Sequence, residues 1–123
     1  MRRGRRGFTL LELIIVVLVI SILAGIAIIK VLRTKEAAYL SAMKSDLRNF
    51  AVYEENYSTQ NQGGFFSGDG TAEGFTPTPD VTIAATVNTG PPASWQATAT
   101  HAKTPKTCSI GVNDPVFSNI TCP

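Results

Sequence analysis

Apolar residues follow two different rhythms along this chain, and the change between them falls near residue 30. From Phe8 to Ile29 they run almost unbroken, interrupted only by Thr9, Glu12, Ser21 and a few small residues. At the helical rise such a run makes a rod of roughly 33 Å, enough to cross a bilayer core. Beyond Lys30 the rhythm becomes amphipathic. Leu40, Met43, Leu47, Phe50, Ala51 and Tyr57 recur at three- and four-residue spacing, with Glu36, Lys44, Asp46, Arg48 and Glu55 mostly on other faces. No proline or glycine occurs between Val31 and Gln62. The pattern predicts one helix from about Phe8 to Tyr57, roughly 75 Å long, whose outer half buries one stripe against a small sheet.

The character changes sharply after the helix. Gln60-Asn61-Gln62-Gly63-Gly64 is a helix terminator, and Ser67-Gly68-Asp69-Gly70 and Pro77-Thr78-Pro79-Asp80 are rich in turn formers. Phe65, Phe66 and Phe75 are the residues that would pin this segment onto a fold. Three β-type segments follow, Val81–Val87, Ala93–Thr100 and Thr107–Val112, with a weaker one at Val116–Ile120. Asn88-Thr89-Gly90-Pro91-Pro92 separates the first pair and Asn113-Asp114-Pro115 precedes the last. The expected fold is α+β: a long N-terminal helix packed on an antiparallel sheet of three or four strands. The expected divisions are a basic leader at 1–7, the helix at 8–58 with 8–29 as its membrane or core half, a loop at 59–80 and a sheet region at 81–123.

Charge sharpens the reading of the N-terminus. The formal net charge is +2, yet Arg2, Arg3, Arg5 and Arg6 all precede Phe8. Without them, seven cationic residues face nine acidic ones, a charge of −2 by the same count. The basic balance thus belongs to a targeting segment and gives no ground for nucleic-acid binding by the folded part. Four arginines ahead of an apolar run place that end in the cytoplasm, leaving everything beyond Lys30 outside. Three readings compete: a secretory signal peptide cut near Ser21, Ala24 or Ala27, a plain membrane anchor, and a precursor cut ahead of its apolar run.

Glu12 separates them. A carboxylate in a spanning segment costs on the order of 2.5–3.5 kcal/mol at the helix centre, and no opposite charge lies within the run. Cleavage after Gly7 would give Phe8 a free α-amino group, largely cationic near neutral pH. That amine, from the same chain or from a neighbour shifted along a bundle, is a fitting partner for Glu12.

The run Gly7-Phe8-Thr9-Leu10-Leu11-Glu12, preceded by basic residues and followed by an apolar helix, resembles the processing motif of type IV prepilins and type II secretion pseudopilins. The resemblance implies cleavage after Gly7 by a membrane prepilin peptidase, N-methylation of Phe8, and docking of incoming subunits through Glu12 and a neighbour's amine. It also implies a homo-oligomeric helical filament, an inner-membrane assembly platform and a cytoplasmic assembly ATPase. The subunit is then an inner-membrane protein before assembly and an extracellular filament afterwards, or periplasmic if it is a pseudopilin. Many pilins carry a proline near the end of the apolar run; here the region reads Gly25-Ile26-Ala27-Ile28-Ile29.

Cys108 and Cys122 are the two cysteines. An even count in an exported segment suggests one disulfide, the alternative being two free thiols in a reducing compartment. Such a bridge closes a loop whose chain-entropy value is roughly 3 kcal/mol. In type IV pilins a C-terminal disulfide commonly bounds a surface loop, so its presence favours a pilus subunit over the main secretion pseudopilin.

Catalytic chemistry finds little footing. His101 is the single histidine, and Ser94, Ser109 and Asp114 lack an elbow or triad context; a solvated strand-end histidine is the expectation. One His and two Cys make a poor zinc set. Asp69 and Glu73 are too few for a strong calcium loop, and Trp95 reads as core packing. The expected protein is therefore a non-enzymatic structural subunit without cofactor, engaging nucleic acid only if its filament serves DNA uptake. The alternatives are a secretion pseudopilin and a singly anchored exported binding domain.

Overall fold

The computed structural model describes residues 7–112 and 120–123. A single helix, α1, spans Leu10–Gln60 over 51 residues. It passes through Gly25 without a break, and a Cβ there would meet nothing within 4 Å. By its contacts the chain falls into two units, 1–35 and 36–123.

In the first unit the apolar residues of α1 are exposed throughout. This stretch is long and apolar enough to cross a membrane. Ser21 is accommodated by donating its hydroxyl to the Val17 carbonyl at 2.7 Å, so no polar group is left unsatisfied on its account.

In the second unit the amphipathic stripe finds its sheet. Strands β1 (Val81–Asn88), β2 (Ser94–His101) and β3 (Thr104–Val112) form an antiparallel meander in the order β1-β2-β3. Alternation puts Val81, Ile83 and Ala85 of β1, Trp95, Ala97 and Ala99 of β2, and Cys108 and Ile110 of β3 into the core. Met43, Leu47, Phe50 and Ala51 of α1 join the same cluster. The small Ala97 and Ala99 on the middle strand leave volume for those larger helix side chains. Leu40 and Tyr57 are only partly buried. Three strands are present among the described residues; most of the weak segment at Val116–Ile120, and the Asn113-Asp114-Pro115 turn, lie outside them.

The segment between helix and sheet is fixed at several points. α1 ends with the Gly63 N–H on the Ser58 carbonyl at 2.9 Å, a Schellman-type closure in which Gln62 takes the left-handed conformation (φ 55°). Phe66 and Phe75 are buried around Phe50, with ring centroids 5.2 and 5.3 Å from it. Gly70 sits among these three rings at φ 76°, and a Cβ there would come within 2.9 Å of Phe50. Farther on, Gly68 exchanges two backbone hydrogen bonds with Ala85, covering the outer edge of β1 at that point. Thr121 does the same to Ser109 on the outer edge of β3, and the Cys108–Cys122 disulfide lies beside it. Both edges of this small sheet are therefore pinned by short backbone bridges.

Three details depart from the sequence expectation. β3 begins at Thr104, three residues early, after a two-residue turn at Ala102-Lys103. That turn is organised from outside: the Asp80 carbonyl accepts the Ala102 N–H, and the Asp80 carboxylate pairs with Lys103 at 2.7 Å. His101 ends β2 as expected but is buried, stacked on Tyr39 with centroids 4.4 Å apart. Asp46, expected on another face, is buried with Glu54, which the periodicity did not single out.

Candidate processing and assembly site

Gly7 and Phe8 precede α1 in irregular backbone, and Phe8 is 94% exposed. Peptide bonds in this setting are open to a peptidase, because no helix has to be unwound to reach them. Helical bonding starts where the Leu13 N–H reaches the Thr9 carbonyl at 3.2 Å.

Thr9 and Glu12 close that end reciprocally. The Thr9 hydroxyl accepts the Glu12 N–H at 3.2 Å, while Glu12 Oε2 accepts the Thr9 N–H at 2.8 Å and the Thr9 hydroxyl proton at 2.9 Å. This is a capping box, and Thr9-Leu10-Leu11-Glu12 has its Thr-x-x-Glu spacing. The sequence reading missed it, although the spacing was legible. It gives Glu12 neutral partners within its own chain and places negative charge at the positive end of the helix dipole. Neither ion pair among the described residues, Lys103–Asp80 nor Lys106–Glu36, involves Glu12. Its charge stays available to a cation from elsewhere.

Cys108 and Cys122, the other predicted pair, are bonded to each other in the second unit. The residues weighed for other chemistry are spread out. Ser109 hydrogen-bonds Thr121, and Asp114 lies outside the described residues. Asp69 turns its carboxylate onto the Thr71 N–H and hydroxyl, which hold it below the usual carboxylate range. Trp95 is core, 5.9 Å from the Phe50 ring centroid. Among the described residues no cluster of three or more His, Cys, Asp or Glu is placed to hold a metal ion.

Compared with known proteins, residues 2–28 match the family model of the prokaryotic N-terminal methylation motif. No curated protein and no solved structure matches the chain. The Gly7–Phe8 junction, the capped helix start and the first turns of the exposed apolar helix all fall within the matched residues, so the chain carries the hallmark of type IV pilin and pseudopilin precursors.

Proposed function

We propose that this chain is a structural subunit of a type IV pilus, processed between Gly7 and Phe8 and polymerised through 8–29 into an extracellular filament. The observation that carries the reading is the position of the motif. It ends in a capped carboxylate, Glu12, at the start of a helix whose apolar half is exposed among the described residues. So much exposed apolar surface requires either lipid or other copies of itself to cover it. A membrane anchor before assembly and a helical core afterwards meet that need in turn.

Within this reading, processing is the work of a prepilin peptidase, and assembly needs an inner-membrane platform and an ATPase. The subunit itself has no catalytic role. The Cys108–Cys122 bridge favours a pilus subunit over the secretion pseudopilin.

The test is the mass of the N-terminal peptide of the mature chain. A start at Phe8, with or without one methyl group, supports the proposal; a start at Met1 or beyond Ala24 overturns it. Filaments outside cells with this chain as their main mass would then distinguish a pilus from a periplasmic pseudopilus. An intact N-terminus with no self-association would instead favour a singly anchored binding domain.

A further inference from the structure

Glu54 has no part in the assembly scheme, yet it is one of the most deeply buried side chains of the second unit, with no solvent exposure. It projects from α1 on the same stripe as Met43, Leu47 and Phe50. Oε2 accepts the Phe66 N–H at 3.2 Å, but Oε1 has no hydrogen-bond partner among the described residues. Burying an ionised carboxylate with half its acceptor capacity unmet is costly. A neutral carboxyl sits there far more readily.

Among the described residues, the surrounding groups offer no compensating charge. On α1, Asp46 is occupied by the Thr78 N–H and hydroxyl at 2.7 and 2.9 Å, Glu55 is exposed, and Tyr53 and Tyr57 face Phe75 and Phe66. In the loop, Asp69 is turned onto Thr71, and Glu73 is a second negative charge that acts against ionisation of Glu54. The core residues of the sheet are apolar apart from His101. His101 stacks on Tyr39, which lies fifteen residues before Glu54 and so about 22 Å away along the helix.

What Glu54 holds has a consequence two residues further on. Phe66 is its hydrogen-bond partner, and Gly68 is the residue that bridges the outer edge of β1 at Ala85. We propose that Glu54 is a proton-controlled latch: neutral, it seats Phe66 and keeps Gly68 on β1; ionised, it leaves the core, frees this end of the loop and uncovers the β1 edge. An uncovered strand edge is a template for pairing with another strand. Burial, with Glu73 adding to it, outweighs the Phe66 N–H, which by itself favours the ionised carboxylate, and pushes Glu54 up to about 7, within the range an exported domain meets in its surroundings. The inference does not depend on the filament reading.

The sole tryptophan, Trp95, packs against the loop through Phe65, with centroids 6.5 Å apart. Its emission and the hydrogen exchange of the Phe66 and Ala85 amides can be followed from pH 5.5 to 8.5 on the full chain in detergent micelles. Across one pH unit either side of the midpoint the ionised fraction rises about tenfold. Exchange at both amides should therefore gain about tenfold over that span beyond intrinsic base catalysis, with a red shift of Trp95. Glu54→Gln should abolish this extra gain, and Glu73→Gln, which alters an exposed residue, should move the midpoint down. His101→Gln should leave the transition in place, which excludes that side chain as its source. A wild-type chain whose exchange follows intrinsic catalysis alone overturns the latch. So does a transition that persists unmoved in both glutamate variants.

Discussion

Glu12 can act in two ways, and one substitution separates them. Glu12→Gln keeps a side-chain oxygen at the third helical position, so it preserves the capping box of Thr9 while removing the charge. Thr9→Ala does the reverse: it removes the hydroxyl that both accepts the Glu12 N–H and donates to Oε2. Loss of a Thr cap is worth about 1 kcal/mol, so Thr9→Ala should lower filament yield only severalfold. If Glu12 instead pairs with the amine of a neighbouring Phe8 inside lipid, neutralising it leaves that amine buried and unpaired. Breaking such a pair costs about 3–5 kcal/mol, or roughly two to four orders of magnitude in an assembly constant. Filament shed by shearing, measured against total subunit in the membrane fraction, reads the difference directly. Glu12→Gln and Glu12→Ala should both accumulate as membrane subunit with almost no filament. Wild-type filament yield from Glu12→Gln, with loss in Thr9→Ala, would refute charge pairing and leave Glu12 as a cap alone.

Three further outcomes concern the second unit, each readable by Trp95 emission during urea unfolding of the full chain in detergent. Gly70→Ala should destabilise it by about 2–5 kcal/mol, adding overpacking against Phe50, Phe66 and Phe75 to the left-handed backbone cost. Gly74→Ala, at φ 84° with open space around it, should cost only the backbone part, about 1–2 kcal/mol; equal losses would dismiss the ring contacts as a constraint. Replacing Cys108 and Cys122 together by serine should cost roughly 3 kcal/mol, with unchanged stability after reduction as the contrary result. For Glu54 the sign follows from a raised pKa, about 7 against an ordinary 4.5. Its stabilising share is full below pH 4.5 and is lost as pH climbs to about 7, on the order of 3 kcal/mol in all. Glu54→Gln should flatten that slope, and a slope that survives the substitution would place its origin elsewhere.

Much of this was legible in the residues because it is set locally. An unbroken apolar run, a Gly-Gly terminator and alternating strands of Val, Ile, Ala and Thr depend on neighbours a few positions away, so helix, loop and strands fell close to their predicted places. The Gly7–Phe8 motif belongs to the same class, and so does the Thr9–Glu12 capping box, which was readable though overlooked. The disulfide rested on cysteine count and on the exported context expected from the N-terminal motif, both read from the sequence.

Contacts distant in sequence were not legible. Asp46 and Glu54 carry charges that composition assigns to a helix surface, yet the loop at 61–80 folds back and supplies the Thr78 and Phe66 donors that draw them inward. The Ala102-Lys103 turn contains no turn former and is shaped by Asp80, the residue just ahead of β1. His101 is buried because Tyr39, on another element, lies over it. In its sequence alone the chain held its helix, its strands and its N-terminal methylation motif, since short-range geometry and solubility decide those. Which polar groups would be enclosed, and which sheet edges covered, was decided only when distant segments met, because burial and hydrogen-bond satisfaction depend on the assembled surface.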